Sequence, residues 1–321
     1  MVNLKVAVLQ LNPRIGRVSA NIDNATRVLQ SHGFLLNGRP TGRKLDILVL
    51  PELAFTGYNF SSTDHIKPYL EPTTSGPSTQ WAQDISKKLG CFTLVGYPEL
   101  HEPTQCIYNS AVMTNATGSV IANYRKTFLY ETDEKWGCSE PPVNNFSDGG
   151  MFPLTTVSAG GLNTQVGICM DLNPYKFERP FDDYEFANAA IKNKARLILC
   201  PTAWLHPDSP DIDNTLAVGE EKSQALARLL AEQEEGLAKQ PSMLTVQYWL
   251  QRMFPFLEGK ALDDKPVLFA LCNRFGAEGN TVYAGSSSIF ELNSRNEKKF
   301  RYFGSLGQAT EDLLYAEVDL D

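Results

Sequence analysis

Three reactive side chains each follow an apolar run of the sequence, at places where a strand would end. Glu52 ends the run Ile-Leu-Val-Leu-Pro-Glu, Lys126 ends Val-Ile-Ala-Asn-Tyr-Arg-Lys, and Cys169 ends Gln-Val-Gly-Ile-Cys. Because the carboxyl ends of strands line the ligand crevice in parallel or mixed sheets, the three are expected to converge.

A thiol, a carboxylate and an ammonium in one cavity are sufficient for acyl transfer. The ammonium of Lys126 would lower the pKa of the Cys169 thiol and hold the oxyanion of a tetrahedral intermediate. Glu52 would accept the thiol proton, give it to the departing amine and then activate water. A histidine is not required, and none of the four lies beside these motifs: His32, His65, His101 and His206.

Short apolar runs that alternate with helical patterns predict an α/β sheet protein with helices packed outside. The predicted helices are Asn21–Ser31, Ser78–Lys88 and Asp183–Asn193. The predicted strands are Leu4–Leu11, Ile47–Leu50, Phe92–Tyr97, Ser110–Thr114, Val120–Tyr124, Thr164–Cys169, Arg196–Cys200, Val267–Cys272, Ser286–Leu292 and Leu314–Val318.

The segment Leu205–Asp264 differs from the rest of the chain. It has a long charged helical pattern over Glu220–Gln240 and, after Pro241, an aromatic helix over Leu244–Phe254. Long connections inside compact domains are usually functional or disordered, and the aromatic content favours an ordered cap over one end of the sheet. The chain is therefore predicted to be a single domain over residues 1–321 with a helical connection inserted at about 205–264.

Composition restricts the binding partners and the cellular compartment that are predicted for this chain. The 321 residues carry a formal net charge of −8, which argues against nucleic acid as a partner. No apolar run is long enough to span a bilayer, and the N-terminus does not match a secretory signal. The six cysteines form no Cys-x-x-Cys pair, so neither a metal nor another cofactor is predicted. These features predict a reduced enzyme in the cytoplasm or the nucleus.

Individually, each of the three reactive residues has a commoner structural interpretation, a packed thiol or a surface charge. Taken together, the sequence motifs around these residues resemble the nitrilase superfamily of carbon–nitrogen hydrolases, whose members carry Glu, Lys and Cys in this chain order. The resemblance runs from residue 6 to residue 289, through Leu-Pro-Glu-Leu-Ala-Phe-Thr-Gly-Tyr, Tyr-Arg-Lys-Thr-Phe-Leu-Tyr, Gly-Ile-Cys-Met-Asp and Cys-Pro-Thr-Ala-Trp. It implies an αββα four-layer sandwich, with Glu52 as general base, Lys126 as oxyanion stabiliser and Cys169 as nucleophile.

A second glutamate often supports the site in that superfamily, shortly after the lysine. Glu134 matches the position of a Glu before Trp-Gly, and Glu131 is the alternative for the same role. The alternative interpretation of Glu134 is a solvated acidic loop.

The stretches around Lys126 and Cys169 resemble the fungal protein N-terminal amidases most. The main reason is that Pro-Tyr-Lys-Phe stands where many small amidases have a Pro-Glu motif. Those enzymes deamidate an N-terminal Asn or Gln to Asp or Glu, a product that enters the N-degron pathway. The implied substrate is thus the N-terminus of a peptide or protein. Whether two chains pair as a homodimer stays open, since the long segment could block the contact.

Such a substrate needs an acceptor for its free α-ammonium and a walled pocket. The candidate acceptors are Asp133, Glu134, Asp171, Asn173 and Glu178. Asp171 has a strong alternative, because a carboxylate two residues after the nucleophile commonly braces the loop. The candidate wall residues are Tyr58, Phe128, Tyr130, Trp136 and Trp204, although aromatic residues at strand ends are more often core.

Two other functions stay open from sequence. The chain could be an ω-amidase, a carbamoylase or a nitrilase that acts on a free small molecule. It could also be an inactive scaffold that binds peptides, although the presence of all three reactive residues argues against this. The preference between Asn and Gln is not determined.

Overall fold

The computed structural model describes residues 2–142, 155–159, 161–212, 216–217, 220–234, 236–259, 265–294 and 299–320. The strands are β1 Asn3–Gln10, β2 Leu35–Leu36, β3 Arg39–Pro40, β4 Ile47–Val49, β5 Glu71–Pro72, β6 Phe92–His101, β7 Cys106–Thr114, β8 Val120–Arg125, β9 Thr155–Ala159, β10 Leu162–Val166, β11 Leu197–Thr202, β12 Val267–Asn273, β13 Phe275–Glu278, β14 Thr281–Ala284, β15 Ser288–Leu292, β16 Phe300–Ser305 and β17 Asp312–Asp319. The α-helices are α1 Val18–Ser31, α2 Thr63–Ile66, α3 Pro77–Leu89, α4 Glu131–Lys135, α5 Glu185–Lys192, α6 Lys222–Glu234, α7 Met243–Arg252 and α8 Phe254–Leu257.

Two mixed sheets form the centre of the described structure. The first has the order β17-β1-β4-β6-β7-β8, with β5 paired to β6, and the second has the order β16-β15-β12-β11-β10-β9. In each, three neighbouring strands run parallel, β1-β4-β6 and β10-β11-β12, and the next strands are antiparallel. The ends of β4 and β11 therefore lie near the middle of each sheet, where a crevice is expected.

Three apolar layers hold the sheets and helices together. Side chains such as Val6, Leu94 and Leu199 fill the space between the two sheets. Ala25 and Leu29 of α1 pack with Trp81 and Ile85 of α3 on the outer face of the first sheet. The outer face of the second sheet is covered by apolar residues of α5, α7 and α8. This is the predicted αββα four-layer sandwich, and the fold-class prediction is confirmed.

The predicted elements are all present, with different ends. Strands β2, β3, β5, β9 and β16 and the hairpin β13–β14 were missed; all of these except β9 and β16 are runs of two to four residues, which show no readable periodicity. The charged helix is shorter than predicted, with α6 ending at Glu234, and the aromatic helix divides at Met253 before Pro255. Proline lacks the N–H that would continue the first helix.

All six cysteines are free thiols. Within the described part of the chain, no helix combines the length and the apolar character needed to cross a bilayer.

Candidate active site

Glu52 is held on the loop that follows β4, where it is fully buried. Its Oε1 accepts hydrogen bonds from Asn109 Nδ2 at 2.6 Å and Lys126 Nζ at 2.8 Å, and its Oε2 accepts one from the Ala203 N–H at 2.7 Å. With three donors on its two oxygens, the carboxylate has one fixed orientation. A buried group that is fully bonded keeps its place during a reaction.

The loop of Glu52 lies directly against Gly96 of β6. A Cβ at Gly96 would stand 2.6 Å from the Pro51 carbonyl oxygen and 2.7 Å from Glu52 Cα, so only glycine allows this approach. Further along, Glu278 accepts hydrogen bonds from the N–H groups of Tyr58 and Asn59, at 3.1 and 2.8 Å. Both ends of the loop are therefore fixed by tertiary contacts.

Lys126 follows β8 directly and is almost completely buried. Its Nζ contacts two carboxylates, Glu52 at 2.8 Å and Asp133 at 2.6 Å, and it lies 5.6 Å from the centroid of the Tyr58 ring. Burial by itself would lower the pKa of Lys126, but the charges of Asp133 and Glu52 raise that pKa well above its ordinary value. The side chain is thus a permanent ammonium.

Asp133, and not Glu134, is the second carboxylate on Lys126. Asp133 is fully buried, and Asn109 Nδ2 and the Tyr130 N–H also donate to it, at 2.9 Å each. Glu134 is the next residue of the short helix α4, so its side chain points to another side and lies exposed at the cavity wall. Asp133 therefore takes the position beside Lys126, while Glu134, which was predicted to support the site, lies on the cavity wall.

Cys169 does not end a strand as predicted. β10 stops at Val166, and Cys169 begins a 3₁₀ turn, Cys169–Leu172, with a φ of 45°. A non-glycine residue in this region is strained and persists only where its surroundings hold it, which is common at reactive residues. The strained turn places Cys169 at the wall of the cavity.

Asp171 fixes that turn and cannot bind substrate. It is fully buried, and it accepts hydrogen bonds from the N–H groups of Ile168, Thr127 and Phe128 and from the Tyr124 hydroxyl, at 2.7 to 3.0 Å. The substrate-binding prediction for Asp171 is therefore corrected. Its carboxylate joins the Cys169 turn to the segment that follows Lys126, and so sets the distance between the two.

The surroundings of Cys169 favour the neutral form of its thiol. Burial and the charge of Glu52 raise its pKa well above the ordinary value, while Lys126 and the Ala203 N–H lower it. Burial also raises the pKa of Glu52 above its usual value, although Lys126 opposes the shift. A carboxylate with a raised pKa is a better base, so the pair can exchange one proton.

A cavity of about 950 Å³ opens from Cys169 to the surface. Of the predicted wall residues, Tyr58, Tyr130 and Trp204 line it, as does Asn173. Phe128 and Trp136 do not, because both are packed in apolar clusters, with about 1% and 0% of their surfaces exposed. These two are corrected to core residues.

Three acids line the cavity: Glu131, Glu134 and Asp211. Two of the predicted amine acceptors are elsewhere, since Asp133 is occupied by Lys126 and Glu178 is exposed and not among the lining residues. Asp211 was missed in the sequence because nothing distinguishes it from the other acids of the long segment. No group of three possible metal ligands occurs in the part of the chain that is described.

Sequence reasoning also missed Asn109, Ala203 and one face of α7. Asn109 connects the two carboxylates, and Ala203 supplies the N–H near both Glu52 and Cys169. Neither has a reactive side chain, so no local pattern could reveal it. The α7 face was predicted to be part of a cap, but its amphipathic pattern did not show which cavity it covers.

Known proteins resemble this chain in sequence and in fold. The family model described as carbon–nitrogen hydrolase matches residues 5–173. The chain is 30% identical to the Protein N-terminal amidase of Saccharomyces cerevisiae, with 100% of this chain and 96% of the relative covered. Solved structures of N-terminal amidase with an Asn-Glu-Ala peptide and with a Gln-Val peptide have TM-scores of 0.84 and 0.82, at 29% and 28% identity, and each comparison covers 99% of this chain and 98% of the other.

Proposed function

The chain belongs to the carbon–nitrogen hydrolase family, and from this premise we propose that it deamidates the N-terminal Asn or Gln of peptides or proteins. The reaction releases ammonia and leaves Asp or Glu. The observation that carries the proposal is that Cys169 lines an open cavity and lies near enough to the buried Glu52–Lys126 pair for both charges to shift the pKa of its thiol. The similarity to amidases that were solved with Asn- and Gln-initiated peptides supports this choice of substrate.

The first half-reaction forms a thioester. Glu52 takes the proton from the Cys169 thiol as the sulfur attacks the carbon of the side-chain amide. The oxyanion that develops on the amide oxygen is stabilised by the ammonium of Lys126, which is permanently charged and fixed by two carboxylates. The carbon–nitrogen bond then breaks, and the nitrogen leaves as ammonia with the proton that Glu52 returns.

The second half-reaction hydrolyses the thioester. Glu52 accepts a proton from a water molecule, and the resulting hydroxide attacks the thioester carbonyl. The carbon–sulfur bond breaks, the sulfur regains its proton from Glu52, and the new side-chain carboxylic acid ionises in solution. Each cycle therefore consumes one water and one amide and releases one ammonia and one acid.

The cavity wall also suits a charged N-terminus. Glu131, Glu134 and Asp211 give it three carboxylates, and no lysine or arginine other than Lys176 is among the described lining residues. A free α-ammonium gains from such an environment, since a hydrogen bond between charged groups is stronger than one between neutral groups. Tyr130 and Trp204 offer apolar surface to the methylene groups of Asn or Gln.

We expect N-acetylation to lower kcat/KM for a Gln-initiated tripeptide at least about tenfold, because one charge-assisted hydrogen bond is lost. The measurement is ammonia release from the free and the acetylated peptide. An isomeric peptide with Gln in second place is the matched control and should release none. Free glutamine as the preferred substrate, or equal rates with the acetylated peptide, would instead indicate an amidase for free small molecules.

A further inference from the structure

Helix α7 carries five residues that line the cavity, Thr245 and four others that lie together on one helical face. Leu244, Gln247, Tyr248 and Gln251 are spaced by three, one and three positions, which places them on neighbouring turns of the same side. The opposite face is anchored in the core by Val246 and Trp249, which are 3% and 0% exposed. One side of α7 therefore holds the helix, and the other faces the cavity.

The position of α7 relative to Cys169 is fixed by two contacts with the turn of the nucleophile. Arg252 Nε donates to the Leu172 carbonyl oxygen at 2.7 Å, within the 3₁₀ turn that begins at Cys169. The Tyr248 hydroxyl donates to Asn173 Oδ1 at 2.6 Å. The C-terminal half of the exposed face is thus held at a constant distance from the turn of Cys169. A rigid helix positions its side chains for a ligand more precisely than a loop does.

The two glutamines of this face are available for a ligand. Gln247 and Gln251 are both exposed, and no described residue forms a hydrogen bond with either side-chain amide. Each amide has donors and an acceptor, and this combination matches the C=O and N–H groups of a peptide backbone. Leu244, which is 69% exposed, adds an apolar contact at the same rim.

We propose that this face of α7 binds the backbone of the substrate residues that follow the N-terminal one. The inference rests on the proposed function, because it takes the N-terminal side chain to be at Cys169. The rest of the polypeptide must then leave through the open side of the cavity, where Gln247 and Gln251 lie. Contacts to backbone groups distinguish a polypeptide from a free amino acid without selecting for particular side chains.

A series of Gln-initiated peptides from two to five residues tests the proposal. For the wild type, kcat/KM rises with length once the chain reaches α7. The Gln247→Ala, Gln251→Ala double variant lowers kcat/KM for the pentapeptide about tenfold, since two amide hydrogen bonds are lost. The loss falls on KM, because this binding energy is equal in the ground state and the transition state. The dipeptide, which has only one residue after the first, loses less than the pentapeptide.

The matched control replaces two exposed glutamines on helices of the other sheet, Gln30 of α1 and Gln80 of α3, by alanine. This control should keep the length dependence of the wild type. Equal losses for dipeptide and pentapeptide, a loss in kcat alone, or a wild type without length dependence would each overturn the role of α7. Those results would leave the proposed function intact, whereas failure of the wild type to deamidate any N-terminal Asn or Gln would remove that function itself.

Discussion

The Cys169→Ala variant is expected to lose at least about 10⁴-fold in ammonia release from Asn- and Gln-initiated peptides. The thioester cannot form without the sulfur, and Lys126 and Glu52 alone offer no other nucleophile. Binding of peptide should persist, because the cavity wall and α7 are unchanged. Initial rates of ammonia formation, measured at saturating peptide for both proteins, give the ratio.

The control for this variant is another buried thiol. Cys200 on β11 is fully buried, and its Cys200→Ala variant removes the same atom from the apolar layer around α5 and α7. We expect this change to cost some stability and to leave turnover near that of the wild type. Turnover by Cys169→Ala within tenfold of the wild type would exclude Cys169 as the nucleophile.

Replacing Lys126 by methionine is expected to abolish activity and also to lower the free energy of unfolding by about 3–5 kcal/mol. Glu52 and Asp133 are both fully buried, and Lys126 is the ammonium between them. Without it, two carboxylates share a site that has little contact with water. The free energy of unfolding follows from denaturant titration of both proteins.

The pH dependence of this loss has a defined sign. Burial already raises the pKa of Glu52, and removal of Lys126 takes away the charge that lowers it. A carboxyl group whose pKa is higher in the folded state favours folding when it is protonated, at low pH. This advantage disappears as the pH rises past the pKa that the group has in the unfolded chain. The deficit of Lys126→Met should therefore be smallest in mild acid and grow toward neutral pH.

The matched control is Lys135→Met, which removes a surface lysine whose ion pair with Glu131 is more than half exposed. Changes to such pairs usually alter stability by less than about 1 kcal/mol. Similar losses for Lys126→Met and Lys135→Met, or a deficit that is constant with pH, would contradict a buried ammonium shared by two carboxylates.

The sequence was informative where one residue type has one clear physical role. The apolar run before Glu52 predicted a strand covered on both sides, and the run before Lys126 predicted the strand that ends at Arg125. The alternation of such runs with amphipathic helices predicted an α/β sheet protein, and the family resemblance implied the four layers of the sandwich. The family resemblance then selected Cys169 among the six cysteines as the predicted nucleophile.

The sequence could not resolve choices that depend on the direction of a side chain. Asp133 and Glu134 are adjacent acids, and only the orientation of α4 decides that Asp133 reaches Lys126. Asn109 is buried against both carboxylates but looks like an ordinary strand residue. The contribution of α7 to the cavity depends on long-range contacts to Leu172 and Asn173. The periodicity of the local sequence does not predict such contacts.

The most direct test of the central claim is a crystal structure of the Cys169→Ala protein with a Gln-initiated peptide. We expect the side-chain amide carbon to face Cβ of residue 169, with the amide oxygen within hydrogen-bonding distance of Lys126 Nζ and the nitrogen side near Glu52. A peptide bound with its side-chain amide away from residue 169, or with Lys126 out of reach of the amide oxygen, would contradict the proposed chemistry.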